Sequence, residues 1–170
     1  MPEADDEGLP VHVARVLRRI WDPIDLGRWG PEDEYDSYVP GVIALVQDTT
    51  VFETGIVAHL QRIETTAMGL APAPVHATRA ARALLGLREA SKRSPALLVA
   101  QAISLDGLHC LWVFRRSDGF YAYEHATLRH EVDENGSCSW WADAGEGRSG
   151  LFATAEAAEQ EARGAIGWLR

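Results

Sequence analysis

The sequence predicts an α+β protein: an N-terminal bundle of three to four helices, then an antiparallel meander of four to five strands with a C-terminal helix packed on it. Two changes along the 170-residue chain indicate this order. Apolar residues recur at helical spacing as far as residue 87, and from residue 96 they alternate with the period of two that strands require. Charge, serine and proline coincide at residues 92–95. We therefore expect a helical domain at residues 1–90 and a β-rich domain at residues 91–170.

The first helix is predicted by a single apolar stripe that follows Pro10. Its members fall at positions i, i+3, i+4, i+7 and i+8, and they are Val13, Val16, Leu17, Ile20 and Trp21. Proline fits the first turn of a helix but not its interior. Pro10 therefore favours the start of this helix, and Pro23 favours its end.

The second helix is predicted within residues 33–47, where its inward side chains include Tyr35, Tyr38, Val39, Val42, Ile43 and Val46. Pro40 lies inside that pattern. A proline there indicates either a kink in the helix or a helix that begins near Val39.

The third helix has a start signal of its own, the capping box Thr50-Val51-Phe52-Glu53. In such a box each polar side chain satisfies a backbone N–H that the helix start leaves without a partner. The expected buried stripe is Phe52, Ile56, Leu60 and Ile63, and Gly69 is expected to end the helix. A fourth helix is predicted at residues 75–87, with Leu84 and Leu87 as its anchors.

Five strands are predicted at residues 96–104, 108–115, 120–125, 128–134 and 137–142. Turn sequences separate them, and Asn135-Gly136 is the strongest because both residues tolerate positive φ. The second strand carries apolar groups on both faces, which is typical of a central strand covered on two sides. Residues 145–150 predict a mobile loop, after which Thr154 caps the final helix.

Composition and charge restrict the classes of partner. A formal net charge of −9 disfavours nucleic acid and anionic membranes and favours a basic protein partner, although solubility alone also explains such acidity. No apolar run approaches the ~18 residues of a membrane helix, and the acidic N-terminus does not resemble a signal peptide. Two cysteines without metal-type spacing suit a reducing compartment, so we expect a cytoplasmic protein.

No catalytic, cofactor or metal motif is evident. The six histidines include no pair four residues apart. His109 and Cys110 point to opposite faces of a strand, as do His125 and His130. There is no Gly-x-Ser-x-Gly elbow, and the glycines of residues 145–150 do not follow the strand-to-helix pattern that binds phosphate. We expect a non-enzymatic protein with no cofactor and no metal.

The most informative segment combines acidic and aromatic residues shortly after the first helix. The candidate binding residues are Trp21, Asp22, Asp25, Glu32, Asp33, Glu34, Tyr35, Asp36 and Tyr38. Two interpretations are open. The acids after Pro31 suit the start of a helix, where the dipole favours negative charge, and Asp22-Pro23 suits a helix end. Alternatively, the carboxylates dock on a basic partner and the aromatic rings supply the desolvated centre of the contact.

The aromatic strands form a second candidate surface, with Trp112, Tyr121, Tyr123 and Trp141 as its residues. Packing in the core explains most of these rings. Trp140 and Trp141 are neighbours in a strand and point to opposite faces, so one of them is available for contact. The alternative function is therefore a module that senses a small molecule or a peptide with this sheet.

Three motifs give this chain a resemblance to a family of small helical bacterial domains of unknown function. They are Trp21-Asp22-Pro23, Asp33-Glu34-Tyr35-Asp36 and Met68-Gly69-Leu70, in that order, within roughly residues 10–70. Some relatives in that family are thought to be immunity proteins that neutralise toxins delivered between bacteria. The resemblance carries over no active site. It implies a binding module that neutralises a toxin, and the acidic charge adds that this toxin is basic and is docked, for example, at its nucleic-acid-binding groove.

Overall fold

The structure, a computed structural model, describes residues 8–27, 29–93, 95–134, 136–144 and 149–169. It confirms the α+β class. Within these residues, four α-helices precede an antiparallel five-stranded sheet, and a fifth helix follows it. The described residues as far as Arg88 form one compact unit, and those from Glu89 onward belong to a second.

Helix α1 (Leu9–Val16) runs directly into a π-helical turn at Leu17–Trp21. Pro10 lies in the first turn, as predicted. Asp22 follows with a left-handed φ of 31°, which ends the helix before Pro23. The predicted stripe is largely buried, because four of its five members are at most 3% exposed, namely Val13, Val16, Leu17 and Trp21.

Helix α2 (Val39–Gln47) follows the second of the two predicted alternatives. A 3-10 turn at Asp36–Tyr38 precedes it, and the α-helix begins at Val39. Pro40 therefore lies in the first turn, where its missing N–H costs no helical bond. Burial of Val42 and Val46 confirms the predicted inward face.

Helix α3 (Glu53–Arg62) corrects the predicted capping box. Phe52 stands at the N-cap and no side chain caps the helix, because the Thr50 hydroxyl instead donates to Asp48 Oδ1 at 2.6 Å. The predicted burial of Phe52 is also wrong, since this side chain is 56% exposed. A π-helical turn at Ile63–Ala67 extends α3, and Gly69 follows with a φ of 68°.

Helix α4 (Pro74–Ser91) is longer than predicted and has a close-packed face. Its residues at 2% exposure or less are Ala77, Ala80, Ala81, Ala83, Leu84, Leu87 and Ala90. Arg88 bonds the C-terminal end of α2, which has no basic residue in its last turn. At 2.7–2.8 Å its guanidinium donates to the carbonyls of Leu45, Val46, Asp48 and Val51. A residue distant in sequence thus satisfies carbonyls that have no helical partner.

The sheet consists of β1 (Leu97–Ile103), β2 (His109–Arg115), β3 (Tyr121–Asp133), β4 (Gly136–Asp143) and β5 (Ser149–Phe152). Its order is β1-β2-β3-β4, every pairing is antiparallel, and β5 also pairs with β3. Gly107 and Gly119 lie in the predicted turns with φ of 70° and 83°.

Strand β3 corrects the predicted strand bounds, because one 13-residue strand replaces the two strands expected at residues 120–125 and 128–134. Its first residues pair with β5 and its later residues with β4, so the two partners share one edge. The predicted loop at residues 145–150 is partly wrong, since residues 149 and 150 belong to β5. Residues 145–148 lie outside the described residues, as does Asn135 of the hairpin signal.

Helix α5 (Ala155–Ala165) is capped by Thr154, as predicted, whose hydroxyl accepts the Ala157 amide at 3.2 Å. The helix packs on one face of the sheet through the cluster Leu111, Val113, Tyr123, Ala158, Ala162 and Ile166. On the opposite face of β2, Cys110, Trp112 and Phe114 are also buried, which confirms the two-sided burial predicted for this strand.

Candidate functional site

Inside the helical unit, Glu64 connects Trp21 of the first resemblance motif to Leu70 of the last. The indole Nε1 of Trp21 donates to Glu64 Oε1 at 2.6 Å, and both residues are 0% exposed. The other carboxylate oxygen accepts the Ala73 amide at 2.8 Å, and the Glu64 carbonyl accepts the Leu70 amide at 2.8 Å. The Trp21 ring is therefore part of the core and offers no surface to a partner.

Asp22 organises the loop that follows α1. Its Oδ1 accepts the Tyr35 hydroxyl at 2.7 Å and the Leu26 amide at 3.0 Å, while Oδ2 accepts the Gly27 amide at 2.8 Å. Burial opposes ionisation, but these hydrogen bonds and the charge of Arg18 outweigh it and lower the pKa of Asp22. Burial and the bond to Asp22 raise the pKa of Tyr35 well above the value of a free tyrosine. This pair holds the loop in place.

Aromatic packing extends this arrangement. The Trp21 and Tyr35 ring centroids lie 5.6 Å apart, and Tyr38 meets Trp21 edge to face at 6.2 Å. Tyr35 is 2% exposed, whereas Tyr38 is half-buried. Of the three aromatic candidates, only Tyr38 retains ring surface that a partner could touch.

The same loop is also held on its far side. The Arg18 guanidinium donates to the Gly30 carbonyl at 2.8 Å and to the carbonyl of Pro31. The Trp29 amide bonds the Leu26 carbonyl at 3.2 Å. The chain around Trp29 is thus tied to α1 through Arg18 and folded back on itself by a turn.

The segment that follows α1 exposes a tryptophan and several carboxylates that are close to it in the sequence. Trp29 is 96% exposed and Ile24 is 39% exposed. The neighbouring exposed acids are Asp25, Glu32, Asp33, Glu34 and Asp36. We call these seven residues the Trp29 surface. A large ring left in water forgoes the favourable free energy of burial, and tryptophan is the residue most enriched at binding hot spots.

Helix capping does not account for Glu32, Asp33 and Glu34. The first turn of α2 contains no acidic residue, because the helix begins only at Val39. Among these acids only Asp36 lies in a helical first turn, that of the short 3-10 segment. The helix-dipole interpretation therefore leaves most of the acidic run without a structural role.

The second candidate surface is mostly internal. Trp112, Tyr123 and Trp141 are 1%, 4% and 6% exposed, and Tyr121 is half-buried. Trp112 meets Trp141 edge to face at 6.3 Å, and the Arg93 guanidinium lies 5.2 Å from the Trp112 ring centroid. Trp140, by contrast, is 41% exposed, as the alternation along the strand predicts.

The sequence reasoning missed a cluster of three rings on the α5 face of the sheet. His109 and His125 lie on neighbouring strands with ring centroids 5.5 Å apart, and Trp168 is 6.1 Å from each. The Trp168 Nε1 donates to His125 Nε2 at 3.1 Å, so that nitrogen carries no proton. Only the register between β2 and β3 reveals this pairing.

Nowhere in the described parts of the chain do three His, Cys, Asp or Glu side chains gather as metal ligands would. In those same ranges, each helix is too short or too polar to cross a bilayer.

Trp29 is the second feature that sequence reasoning missed. A signal was present, because this tryptophan lies off the helical stripe in a polar segment between Gly27 and Gly30. The chain matches no protein-family model, no curated protein and no solved structure. Geometry and charge therefore identify the binding surface.

Proposed function

We propose that this protein is a binding module that docks a basic protein partner through the Trp29 surface, and that the partner is a toxin which it neutralises. The observation that carries the proposal is the 96% exposure of Trp29 in a loop held by Asp22 and Arg18. The toxin class comes from the family resemblance of the motifs around Trp21, and the basic character of the partner comes from charge.

Charge supports a cationic partner for this surface. Five exposed carboxylates lie within seven residues of Trp29 in the sequence, on a chain whose formal net charge is −9. Complementary potentials raise the rate of encounter and penalise partners of like charge. A nucleic-acid-binding groove is a basic surface of the required sign, so occupying it would block the toxin's access to its substrate.

Trp29 supplies the apolar part of the contact. Its ring has almost its whole surface available for burial, and the surrounding acids can form the polar rim that excludes water from such an anchor. The bonds made by Asp22 and Arg18 order the loop before binding, which reduces the entropy lost on association. The loop thus has the two components of a specific contact, a central aromatic and a charged periphery.

The test is affinity capture followed by binding kinetics. Immobilised wild-type protein is exposed to bacterial lysate, the captured protein is purified, and its binding is measured by biolayer interferometry at several NaCl concentrations. We expect a basic partner. Trp29→Ala should raise the dissociation constant about tenfold or more, mainly through faster dissociation. The combined variant Glu32→Gln, Asp33→Asn, Glu34→Gln and Asp36→Asn should slow association and flatten its salt dependence.

A matched control removes four charges elsewhere. Glu131, Glu134, Glu156 and Glu161 are all exposed outside this loop, and changing them to Gln alters net charge by the same amount. This control should bind like the wild type at physiological ionic strength. If Trp29→Ala and the acidic-loop variant both retain wild-type binding while folded, the partner uses another surface and the proposal is wrong.

A further inference from the structure

Among the residues that the structure describes, the outer edge of β4 lacks the features that usually protect a sheet edge from pairing. Strand β4 is the last in the order β1-β2-β3-β4. It has neither proline nor charge from Gly136 to Ala142, and its register with β3 runs without a shift. The opposite edge strand, β1, has an irregularity between Leu98 and Ala100. Charges, prolines and bulges are the devices that prevent edge pairing, so β4 is the less protected edge.

The register shows which backbone groups of β4 face outward. In an antiparallel pair, residues that bond the partner strand alternate with residues whose N–H and C=O point away. The Ala144 amide bonds the His125 carbonyl at 3.0 Å, and the register continues to Cys138 opposite Glu131. Even-numbered residues of β4 therefore bond β3. The backbone groups of Ser137 and Ser139 point away from it.

We propose that β4 pairs with β4 of a second copy of this chain, antiparallel, about a two-fold axis at Cys138. The backbone N–H and C=O of Ser137 then bond those of Ser139 in the second copy. By symmetry, Ser139 of the first copy makes the same bonds to Ser137 of the second. The outward groups of both serines are satisfied, and the two sheets become continuous across the axis. The β4 strand of a second copy offers the matching row of backbone donors and acceptors, and strand addition of this kind satisfies such an edge.

Side chains on one face of β4 fit this register. Gly136, Cys138 and Trp140 share a face because successive side chains alternate. Trp140, 41% exposed, lies opposite Gly136 of the second copy, where the absence of a side chain leaves room for the indole. An aromatic ring that covers a glycine in a neighbouring strand is stabilising. Cys138, at the axis, lies opposite Cys138 of the second copy.

Charge does not oppose this pairing strongly. Glu131, opposite Cys138 on β3, is the nearest exposed acid on that face. The two copies of Glu131 would be separated by three strand spacings, about 14 Å, which exceeds the Debye length of ~8 Å at physiological ionic strength. Asp143 lies outside the overlapping residues. Added salt should therefore leave the dimer unchanged or strengthen it.

Sedimentation velocity of the full chain over a range of protein and NaCl concentrations provides the first test. We expect a concentration-dependent dimer that salt does not weaken. Ser139→Pro removes an outward N–H without removing a bond to β3, and Trp140→Lys places a charge at the edge. Each should raise the dimer dissociation constant about tenfold or more. Trp29→Lys makes the same change at an exposed tryptophan in the other unit, and it should leave the dimer dissociation constant unchanged.

Thiol cross-linking tests the register. A Cys138 pair about the axis has a Cα separation within the ~4.4–6.8 Å that a disulfide allows. Diamide, which is reduced to the hydrazine as two thiols form one disulfide, should convert the wild type to a covalent dimer. Cys138→Ser should abolish this product and leave sedimentation unchanged. Ser139→Cys in that background should cross-link poorly, because residue 139 faces residue 137 of the second copy.

The outcomes separate this inference from the proposed function. A monomer at every concentration, or a dimer unaffected by Ser139→Pro and Trp140→Lys while both variants fold, overturns β4 pairing. A dimer that weakens with salt and responds to Trp29→Lys would belong to the Trp29 surface instead. Loss of β4 pairing would leave the partner-binding prediction for Trp29→Ala untouched.

Discussion

Trp21 and Glu64 form a buried hydrogen bond between two π-helical turns. The indole Nε1 lies 2.6 Å from Oε1, Trp21 ends the turn Leu17–Trp21, and Glu64 lies in the turn Ile63–Ala67. Each partner therefore lies where a π turn interrupts the regular helical period, and Trp21 keeps the buried position that the stripe from Val13 predicts.

Loss of the Glu64 carboxylate should therefore destabilise the helical unit strongly. Glu64→Ala leaves the Trp21 indole N–H and the Ala73 amide without acceptors, which should cost about 3 kcal/mol or more of unfolding free energy. Glu64→Gln should destabilise the unit less. The glutamine oxygen still accepts one of the two bonds, whereas its NH₂ group faces the other N–H donor and cannot accept from it. Urea unfolding measures both. Glu161→Gln, an exposed control in the middle of α5, should change stability by less than ~0.5 kcal/mol, and an equally small effect of Glu64→Ala would contradict this role.

Acid should destabilise the loop through Asp22. Its pKa is lowered in the folded protein, so its contribution is present above the unfolded value of 3.8 and is lost as pH falls through the folded value. Asp22→Asn should flatten the dependence of unfolding free energy on pH below about 4. Chemical denaturation at several pH values measures this dependence. An unchanged slope in the variant would show that Asp22 does not carry it.

Alkali should act on the other member of this pair. The pKa of Tyr35 is raised, so its contribution is present below the unfolded value of 10.0 and is lost as pH rises above it. Tyr35→Phe should cost about 1 kcal/mol at neutral pH through the lost hydrogen bond to Asp22, and should reduce the alkaline loss of stability. Chemical denaturation at neutral and at alkaline pH measures both effects. If Tyr35→Phe has the unfolding free energy of the wild type under both conditions, the bond to Asp22 does not have this role.

The two cysteines should differ sharply in reactivity. Cys110 is 0% exposed, burial raises its thiol pKa to about 12, and its Sγ accepts a bond from Gln101 at 3.4 Å. Cys138 is exposed. Native protein should therefore react rapidly with one equivalent of Ellman's reagent, and denatured protein with two. Cys138→Ser should remove the rapid reaction. Two rapidly reacting thiols in the native state would show that β2 opens readily.

Two glycines should respond to alanine in opposite directions. Gly69 has a φ of 68° with no atom within 4 Å of an added Cβ, so the cost of Gly69→Ala is backbone strain alone, about 1 kcal/mol. Gly164 lies in α5 with the same open space. Gly164→Ala should stabilise by up to ~1 kcal/mol through helix propensity. Thermal unfolding compares the two, and a shared sign would contradict one assignment.

The order of elements could be predicted because it depends on local patterns. The stripe from Val13 to Trp21, the turn at Gly107 and the Thr154 cap each involve residues a few positions apart. The predictions were wrong where another residue or strand competed for the same hydrogen bonds. Asp48 takes the Thr50 hydroxyl from the capping box, and the continuous pairing of β3 with its neighbours joins two predicted strands into one.

The candidate surface shows the same division. By itself the sequence determined that an acidic, aromatic segment follows the first helix, because composition and proline positions are local properties. Only the tertiary structure decided which of its rings face water. Trp21 is buried and its indole bonds a carboxylate 43 residues away in the sequence. Tyr35 is buried and its hydroxyl bonds Asp22, whereas Trp29 is exposed. Burial is set by contacts between distant segments, and no local pattern encodes which of three nearby aromatics will find such a partner.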